Sequence, residues 1–360
     1  MNRFRFAVFV LLLLFPASLA AQEKVSYPPP AEVKAAFLKL LDRPRVLFNV
    51  QFEETKKDDD ENLVFEKFTF ASEKKGEDEF ERVPVLLARP EKRTKKLPAV
   101  IVLHGTGGNK EGQRQWLIHL AKRGLIGVAI DARYHGDRSG GAKGAEAYNE
   151  AIVRAWKTKA GEKREYPFYY DTCWDLWRLV DYLETRDDID PERIGMIGFS
   201  MGGIETWLAA AVDPRIKVAV PAIAVQSFRW SLENDKWQGR ANSIKAAHEA
   251  VAKDLGETKV NQKVCRELWN KVIPGMLDQF DCPSMIRLFA GRPLLILSGD
   301  GDPNCPLEGA KLAFAAAEAA YKEKDASDRL RINVAKDTGH RVTNEQRQEA
   351  LDWLEKWLKK

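Results

Sequence analysis

The sequence predicts an α/β protein: a mostly parallel sheet covered by helices on both faces. Three observations carry that prediction. From residue 97 onward, short apolar runs alternate with amphipathic helical segments. The runs are apolar along their length rather than alternating, as strands buried on both faces are. Nearly every run stops at a turn rich in glycine, aspartate or histidine. The 360 residues, 44% of them apolar, suffice for one large domain with insertions.

The elements follow in order. Arg3 and Arg5 precede a short apolar run from Ala7 to Phe15, which Pro16 breaks. Ser18-Leu19-Ala20 then offers small residues to a signal peptidase, so residues 1–20 read as a secretory signal peptide. The run is about half the ~20 residues that a membrane-spanning helix needs. A periplasmic or secreted protein is expected, with no stable membrane insertion once the signal is removed.

Residues 21–60 read as a peripheral N-terminal extension. It holds a stiff Tyr27-Pro28-Pro29-Pro30 segment, a helix from Ala31 to Leu41 and a charged loop from Lys56 to Glu61. A catalytic domain is expected over 61–360. Leu63–Phe70 and Phe80–Arg89 read as an antiparallel pair at a sheet edge. The buried runs are Leu97–Leu103, Leu125–Ile130, Arg193–Gly198, Ile216–Ala224, Pro293–Ser298 and Leu330–Val334. Helices are expected at Asp171–Thr185, Leu307–Tyr321 and Asn344–Trp357, with Asn344 as the last N-cap. Two stretches, about 137–170 and 226–290, are too long for ordinary connections. Both are rich in aromatic residues, which suits a lid, a pocket wall or core beneath long loops.

Charge excludes one class of function. The net charge is +4, and acids and bases alternate along the helices. No basic stripe points to nucleic acid. Cys173, Cys265, Cys282 and Cys305 could pair after export, or remain buried thiols. None has zinc-site spacing.

The strongest chemical signal is Gly198-Phe199-Ser200-Met201-Gly202, which fits G-x-S-x-G between a strand and a helix. At such an elbow the serine is strained and exposed, and flanking glycines relieve the crowding. A serine needs a base. Where an elbow supplies the nucleophile, the acid and then the histidine follow it in the chain. Of five histidines only His248 and His340 follow Ser200. His340 lies in a turn after the last strand, whereas His248 reads as a surface residue inside an insertion. The acid should end a strand between them. Asp300 and Asp302 both qualify; Asp302 is preferred, with Asp300 read as a turn former bonding to backbone amides.

An oxyanion hole needs two fixed N–H donors. Met201 supplies one. The turn His104-Gly105-Thr106-Gly107-Gly108 supplies the other, from Thr106 first and Gly107 second, with His104 bracing the loop. The Asp131-Ala132-Arg133-Tyr134-His135-Gly136-Asp137-Arg138 turn reads either as a salt-bridged structural turn or as part of the pocket rim.

Together the 104–108 loop, the Arg133–Arg138 turn, the elbow, the Asp302 turn and Gly339-His340 resemble the α/β-hydrolase superfamily over residues 60–360. The likeness is closest to its dienelactone-hydrolase-like, acetyl-xylan-esterase-like and prolyl-oligopeptidase-like branches. It implies a Ser200, Asp302, His340 triad with no metal or organic cofactor. Dienelactone hydrolases proper use cysteine where this chain has Ser200, which favours ester or amide hydrolysis. The chain before the sheet is too short for the propeller of the usual prolyl oligopeptidase. The expectation is an exported serine hydrolase of carboxylic esters, on a small-molecule or carbohydrate ester; the family suggests acetylated carbohydrate. A serine peptidase or amidase with the same triad, and a non-catalytic binding protein on the same fold, are the alternatives.

Overall fold

Strand β4 (Leu97–Leu103) shows why the apolar runs are continuous. Ala99, Ile101 and Leu103 enter one buried cluster, and Val100 and Val102 enter a second on the opposite face. Both faces of this strand are dry, so the alternation of side chains brings no alternation of polarity.

The computed structural model describes residues 26–139 and 144–360; the signal-peptide reading of residues 1–20 lies outside them. The other strands are β1 (Gln51–Asp58), β2 (Leu63–Lys74), β3 (Phe80–Pro90), β5 (Ile126–Ile130), β6 (Ile189–Phe199), β7 (Ile216–Ala222), β8 (Leu294–Gly299) and β9 (Leu330–Ala335). They form one sheet in the order β1-β2-β3-β5-β4-β6-β7-β8-β9. Strands β4 to β9 run parallel, and β1, β2 and β3 add an antiparallel flank.

The helices are α1 (Pro30–Leu40), α2 (Arg114–Lys122), α3 (Glu146–Lys157), α4 (Tyr170–Thr185), α5 (Met201–Val212), α6 (Phe228–Glu233), α7 (Gln238–Asn242), α8 (Lys245–Asp254), α9 (Gln262–Val272), α10 (Cys282–Ile286), α11 (Leu307–Glu323) and α12 (Asn344–Leu358). Buried residues of α2 and α12 pack on one face of the sheet. The larger cluster on the other face takes α1, α4, α5 and α11 together with the helices of the 226–290 insertion. This is the α/β-hydrolase fold. Among the described residues no helix is long and apolar enough to cross a membrane.

Three expectations change. First, β2 and β3 are antiparallel as expected, but β1 is the edge, where a charged loop was expected to begin at Lys56. Its sequence, QFEETKKD, is exposed along nearly its whole length. Only main-chain pairing makes it a strand, and charged residues are what an edge carries to discourage further pairing. Second, α1 of the N-terminal segment packs into the core. Phe37 of α1 is fully buried, with its ring 5.2 Å from Tyr170 and 5.1 Å from Phe280. Third, Thr343 rather than Asn344 caps α12. Its hydroxyl accepts from the Gln346 amide, and the Gln346 side chain accepts from the Thr343 amide. The T-x-x-Q spacing carries that signal.

The 226–290 insertion supplies core more than pocket wall: Phe228, Trp269 and Phe280 are buried, while Trp230 and Trp237 are half-buried. All four cysteines are buried and free.

The chain leaves β4 toward β5 on one side and later returns to place β6 on the other. That reversal opens a crevice beyond the carboxyl ends of the strands, where ligands of open α/β sheets bind.

Candidate active site

Ser200 sits at this crevice, between β6 and α5. Its backbone has φ 52 and ψ −110, a region that L-residues avoid. Two contacts hold it there. The Ser200 amide donates to the Ala222 carbonyl at 3.0 Å, and the Gly202 amide donates to the His104 carbonyl at 3.1 Å. The glycines are required by space: a Cβ at Gly198 would stand 2.1 Å from the Gly202 carbonyl oxygen, and one at Gly202 would stand 2.6 Å from the Leu103 Cβ. Gly203 is equally confined, with Ala224 Cβ at 2.5 Å, although it lies outside the five-residue pattern.

His340 reaches the elbow from the loop after β9. Ser200 Oγ and His340 Nε2 are 2.7 Å apart, and His340 Nδ1 and Asp302 Oδ2 are also 2.7 Å apart. A carboxylate only accepts, so Nδ1 carries the proton and Nε2 is free to accept from the hydroxyl. Asp302 is 3% exposed, and its Oδ1 accepts from the amides of Asn304 at 2.8 Å and Cys305 at 3.1 Å. One carboxylate oxygen is thus tied to its own turn and the other to the imidazole. Asp300 instead accepts from the Thr338 amide at 3.1 Å, which links the acid turn to the histidine loop and holds its carboxyl below the usual range. The two loops touch: a Cβ at Gly299 would stand 2.3 Å from the Thr338 carbonyl oxygen.

The 104–108 loop lies against the elbow. A Cβ at Gly105 would stand 3.4 Å from the Phe199 carbonyl oxygen and 3.6 Å from Ser200 Cβ. The Gly108 amide closes a turn on the Gly105 carbonyl, with Gly107 at φ 79 and Thr106 half-buried. His104 is buried beneath it. Its Nδ1 donates to the Gly105 carbonyl at 2.8 Å, and its Nε2 accepts from the Ala132 amide at 3.1 Å. Burial lowers its pKa and keeps it neutral. It fixes the loop and has no free nitrogen to serve as a base. Met201 begins α5, so its amide has no partner within the helix.

The 131–138 turn spends its charges on its surroundings. Arg133 forks onto Asp175 at 2.7 and 2.9 Å and reaches Glu73 at 2.8 Å. Arg138 joins Asp175 at 2.7 Å and pairs with Glu81. Asp131 accepts from the Lys110 amide and ammonium at 2.7 and 3.0 Å. Burial opposes the charge on Glu81, but Arg138 and Arg133 outweigh it and hold its carboxyl near about 2. These are the bonds of a structural turn.

His248 is a core residue rather than a surface one. It is fully buried, donates from Nδ1 to the Ile244 carbonyl at 3.1 Å and accepts at Nε2 from Trp269 Nε1 at 3.0 Å. Burial lowers its pKa to about 4, below the ordinary histidine value of 6.5. Between those values the unfolded chain takes up a proton that the folded protein refuses. Its contribution is therefore present above 6.5 and lost as pH falls toward 4. The destabilisation caused by His248→Gln is expected to shrink by about 2 kcal/mol between pH 7 and pH 5. Urea melts of both proteins at each pH check this; an equal difference at both would refute it.

Asp302, Cys305 and His340 also bring donor atoms within 4.8 Å of one another. Those atoms are already engaged: Asp302 and His340 bond each other, and Cys305 Sγ donates to the Ile223 carbonyl at 3.3 Å. Burial pushes the thiol up to about 12, far from the thiolate a metal needs.

Comparison with known proteins bears on the family and the fold. Residues 39–229 match the acetyl xylan esterase (AXE1) family. The chain is 29% identical over 291 residues to YtaP of Bacillus subtilis (strain 168), named as a hydrolase; the match covers 77% of this chain and 84% of that protein. It is 26% identical to YitV of the same organism, named as an esterase, over 77% of this chain and 96% of the other. In structure it resembles acetyl xylan esterase 1 from Thermoanaerobacterium sp. JW/SL YS485, with TM-score 0.65, 17% identity and coverage of 92% and 96% of the two chains. A glucuronoyl esterase from Solibacter usitatus follows at TM-score 0.62 and 17% identity, over 91% and 92%.

Proposed function

From the premise that this chain belongs to the acetyl xylan esterase family of α/β-hydrolases, we propose that it is an exported serine esterase acting on acylated carbohydrate. The observation that carries the mechanism is the continuous relay from Ser200 Oγ through His340 to Asp302, with 2.7 Å at both links. Ser200 attacks the ester carbonyl while His340 Nε2 takes its proton. Asp302 holds the imidazole in the tautomer this requires and offsets the charge that develops on it. The amides of Met201 and Thr106 receive the oxyanion. His340 returns the proton to the leaving hydroxyl of the sugar, and an acyl-enzyme remains. His340 then activates water, and the acid product departs. The family supports the ester class, and two structural neighbours are named for esters of carbohydrate. Export rests on the character of residues 1–20.

The test is a substrate panel of acetylated and glucuronoyl sugars, simple acyl esters and aminoacyl amides, with kcat/KM measured for each. The sugar esters are expected to exceed the amides by at least about 100-fold. Amide turnover equal to ester turnover would move the assignment to a peptidase.

A further inference from the structure

Resting on the serine-esterase reading, we propose that Arg240 is a positioning residue for the reaction: its guanidinium clamps the turn that presents Asp302 to His340. Arg240 lies in α7, within the 226–290 insertion, and is 1% exposed. Its Nη2 donates to the Asn304 carbonyl at 3.3 Å and to Cys305 Sγ at 3.4 Å. Asn304 and Cys305 are the two residues whose amides hold Asp302 Oδ1. One guanidinium therefore grips, from outside, the pair of residues that grips the carboxylate from inside. The preceding residue confirms how tightly the elements meet. A Cβ at Gly239 would stand 2.1 Å from the Pro303 carbonyl oxygen and 2.7 Å from Asn304 Oδ1.

Core filling alone does not account for this side chain. Among the described residues its Nε and Nη1 have no hydrogen-bond partner. Asp302 supplies the negative charge beside it, and the Tyr169 hydroxyl, kept neutral by burial, is its polar neighbour on the other side. Taking a cation out of water without a full set of bonds is costly, and an apolar side chain of similar volume would serve packing better. What the guanidinium adds is a planar donor that spans two acceptors on the acid turn, with a positive charge beside the acid.

The other insertion closes on the same group. Tyr169 faces the guanidinium from the loop before α4. Tyr169 has φ 73 and ψ −48 and forms the centre of a γ-turn, closed by the Tyr170 amide on the Phe168 carbonyl at 3.0 Å. That conformation is rare and strained. Packing holds it: its ring stacks on Phe168 at 4.0 Å and meets the edge of Phe228 at 6.3 Å, and Phe228 also lies under Arg240 at 5.5 Å. Both insertions are thus braced to the triad through one buried arginine.

Arg240→Met releases the turn without touching Ser200, so the loss belongs in kcat. Misplacing a group by about 1 Å costs up to roughly 100-fold. The experiment titrates Ser200 with a fluorophosphonate probe to count competent sites, then measures kcat per titrated site and KM on a phenyl acetate substrate. For Arg240→Met, kcat per site is expected to fall by roughly 10- to 100-fold while KM stays within about twofold. Arg240→Lys, which keeps the charge but not the planar guanidinium, should recover part of the loss. If kcat per site is unchanged, or if KM alone rises, the clamp is refuted. Should Arg240→Met fail to fold, Arg240→Lys decides: a wild-type kcat per site would refute the clamp, and an intermediate one supports it. A wild-type protein that neither labels nor hydrolyses the ester would overturn the esterase reading itself, and this inference with it.

Discussion

Ser200→Ala is expected to lower kcat for ester hydrolysis by roughly 10⁴- to 10⁶-fold while leaving the fold intact. The size follows from the arrangement. His340 Nε2 lies 2.7 Å from the Ser200 hydroxyl, and alanine removes that hydroxyl and, on the proposed mechanism, the acyl-enzyme with it. On the proposed mechanism the amides of Met201 and Thr106 survive, so a small residual rate above water remains. Stability should change little, because alanine keeps the Cβ, and the positive φ of residue 200 is held by the 3.0 Å bond to Ala222 and by the surrounding glycines. Steady-state kinetics beside a thermal melt check both halves. A variant with kcat within tenfold of wild type would show that Ser200 is not the nucleophile.

The second large effect is expected at Asp302. In Asp302→Asn the new amide can keep its oxygen toward the amides of Asn304 and Cys305, so the turn is preserved. Its NH₂ group then faces His340 Nδ1, where a carboxylate oxygen stood at 2.7 Å. A donor meeting a donor forces the imidazole to carry its proton at Nε2, the atom that must accept from Ser200. The expected loss in kcat is roughly 10⁴-fold with KM nearly unchanged. Asp300→Asn is the matched control. Asp300 accepts from the Thr338 amide and does not touch His340, and an asparagine oxygen can accept the same bond. A variant of Asp302 that retains full kcat, or one of Asp300 that loses as much, would reverse their roles.

The site was legible in sequence where a steric rule constrains neighbouring residues. Gly198-x-Ser200-x-Gly202 is local: the clashes that exclude larger residues arise within the elbow and the strand beside it. The order acid then histidine is also visible in the chain. The choice between Asp300 and Asp302 has no local signature, because two aspartates in one turn differ only in where their carboxyls point. Cross-loop bonds decide that: Asp300 to the Thr338 amide, Asp302 to His340. His248 looked like a surface residue because α8 is polar over much of its length. Its Trp269 partner stands 21 positions away, and no helical periodicity announces such a pairing.

The sheet followed a similar division. Continuous apolar runs announced the parallel strands because both their faces are buried. Strand β1 announced nothing, since its eight residues bury almost no side chain and its order comes from main-chain bonds to β2. The 131–138 turn stood open between structure and substrate until its partners appeared. Glu73, Glu81 and Asp175 come from β2, β3 and α4, and they neutralise Arg133 and Arg138 across distances in sequence that no motif spans.

By itself, then, the sequence determined the α/β class, the elbow and the residue types around Ser200, because these depend on periodicity and on clashes between near neighbours. Only the tertiary structure decided which aspartate meets His340, which histidines are buried and neutral, and that Arg240 stands behind the acid turn. Each of those depends on side chains from distant segments competing for the same few buried donors and acceptors, and that competition is settled only when the chain has packed.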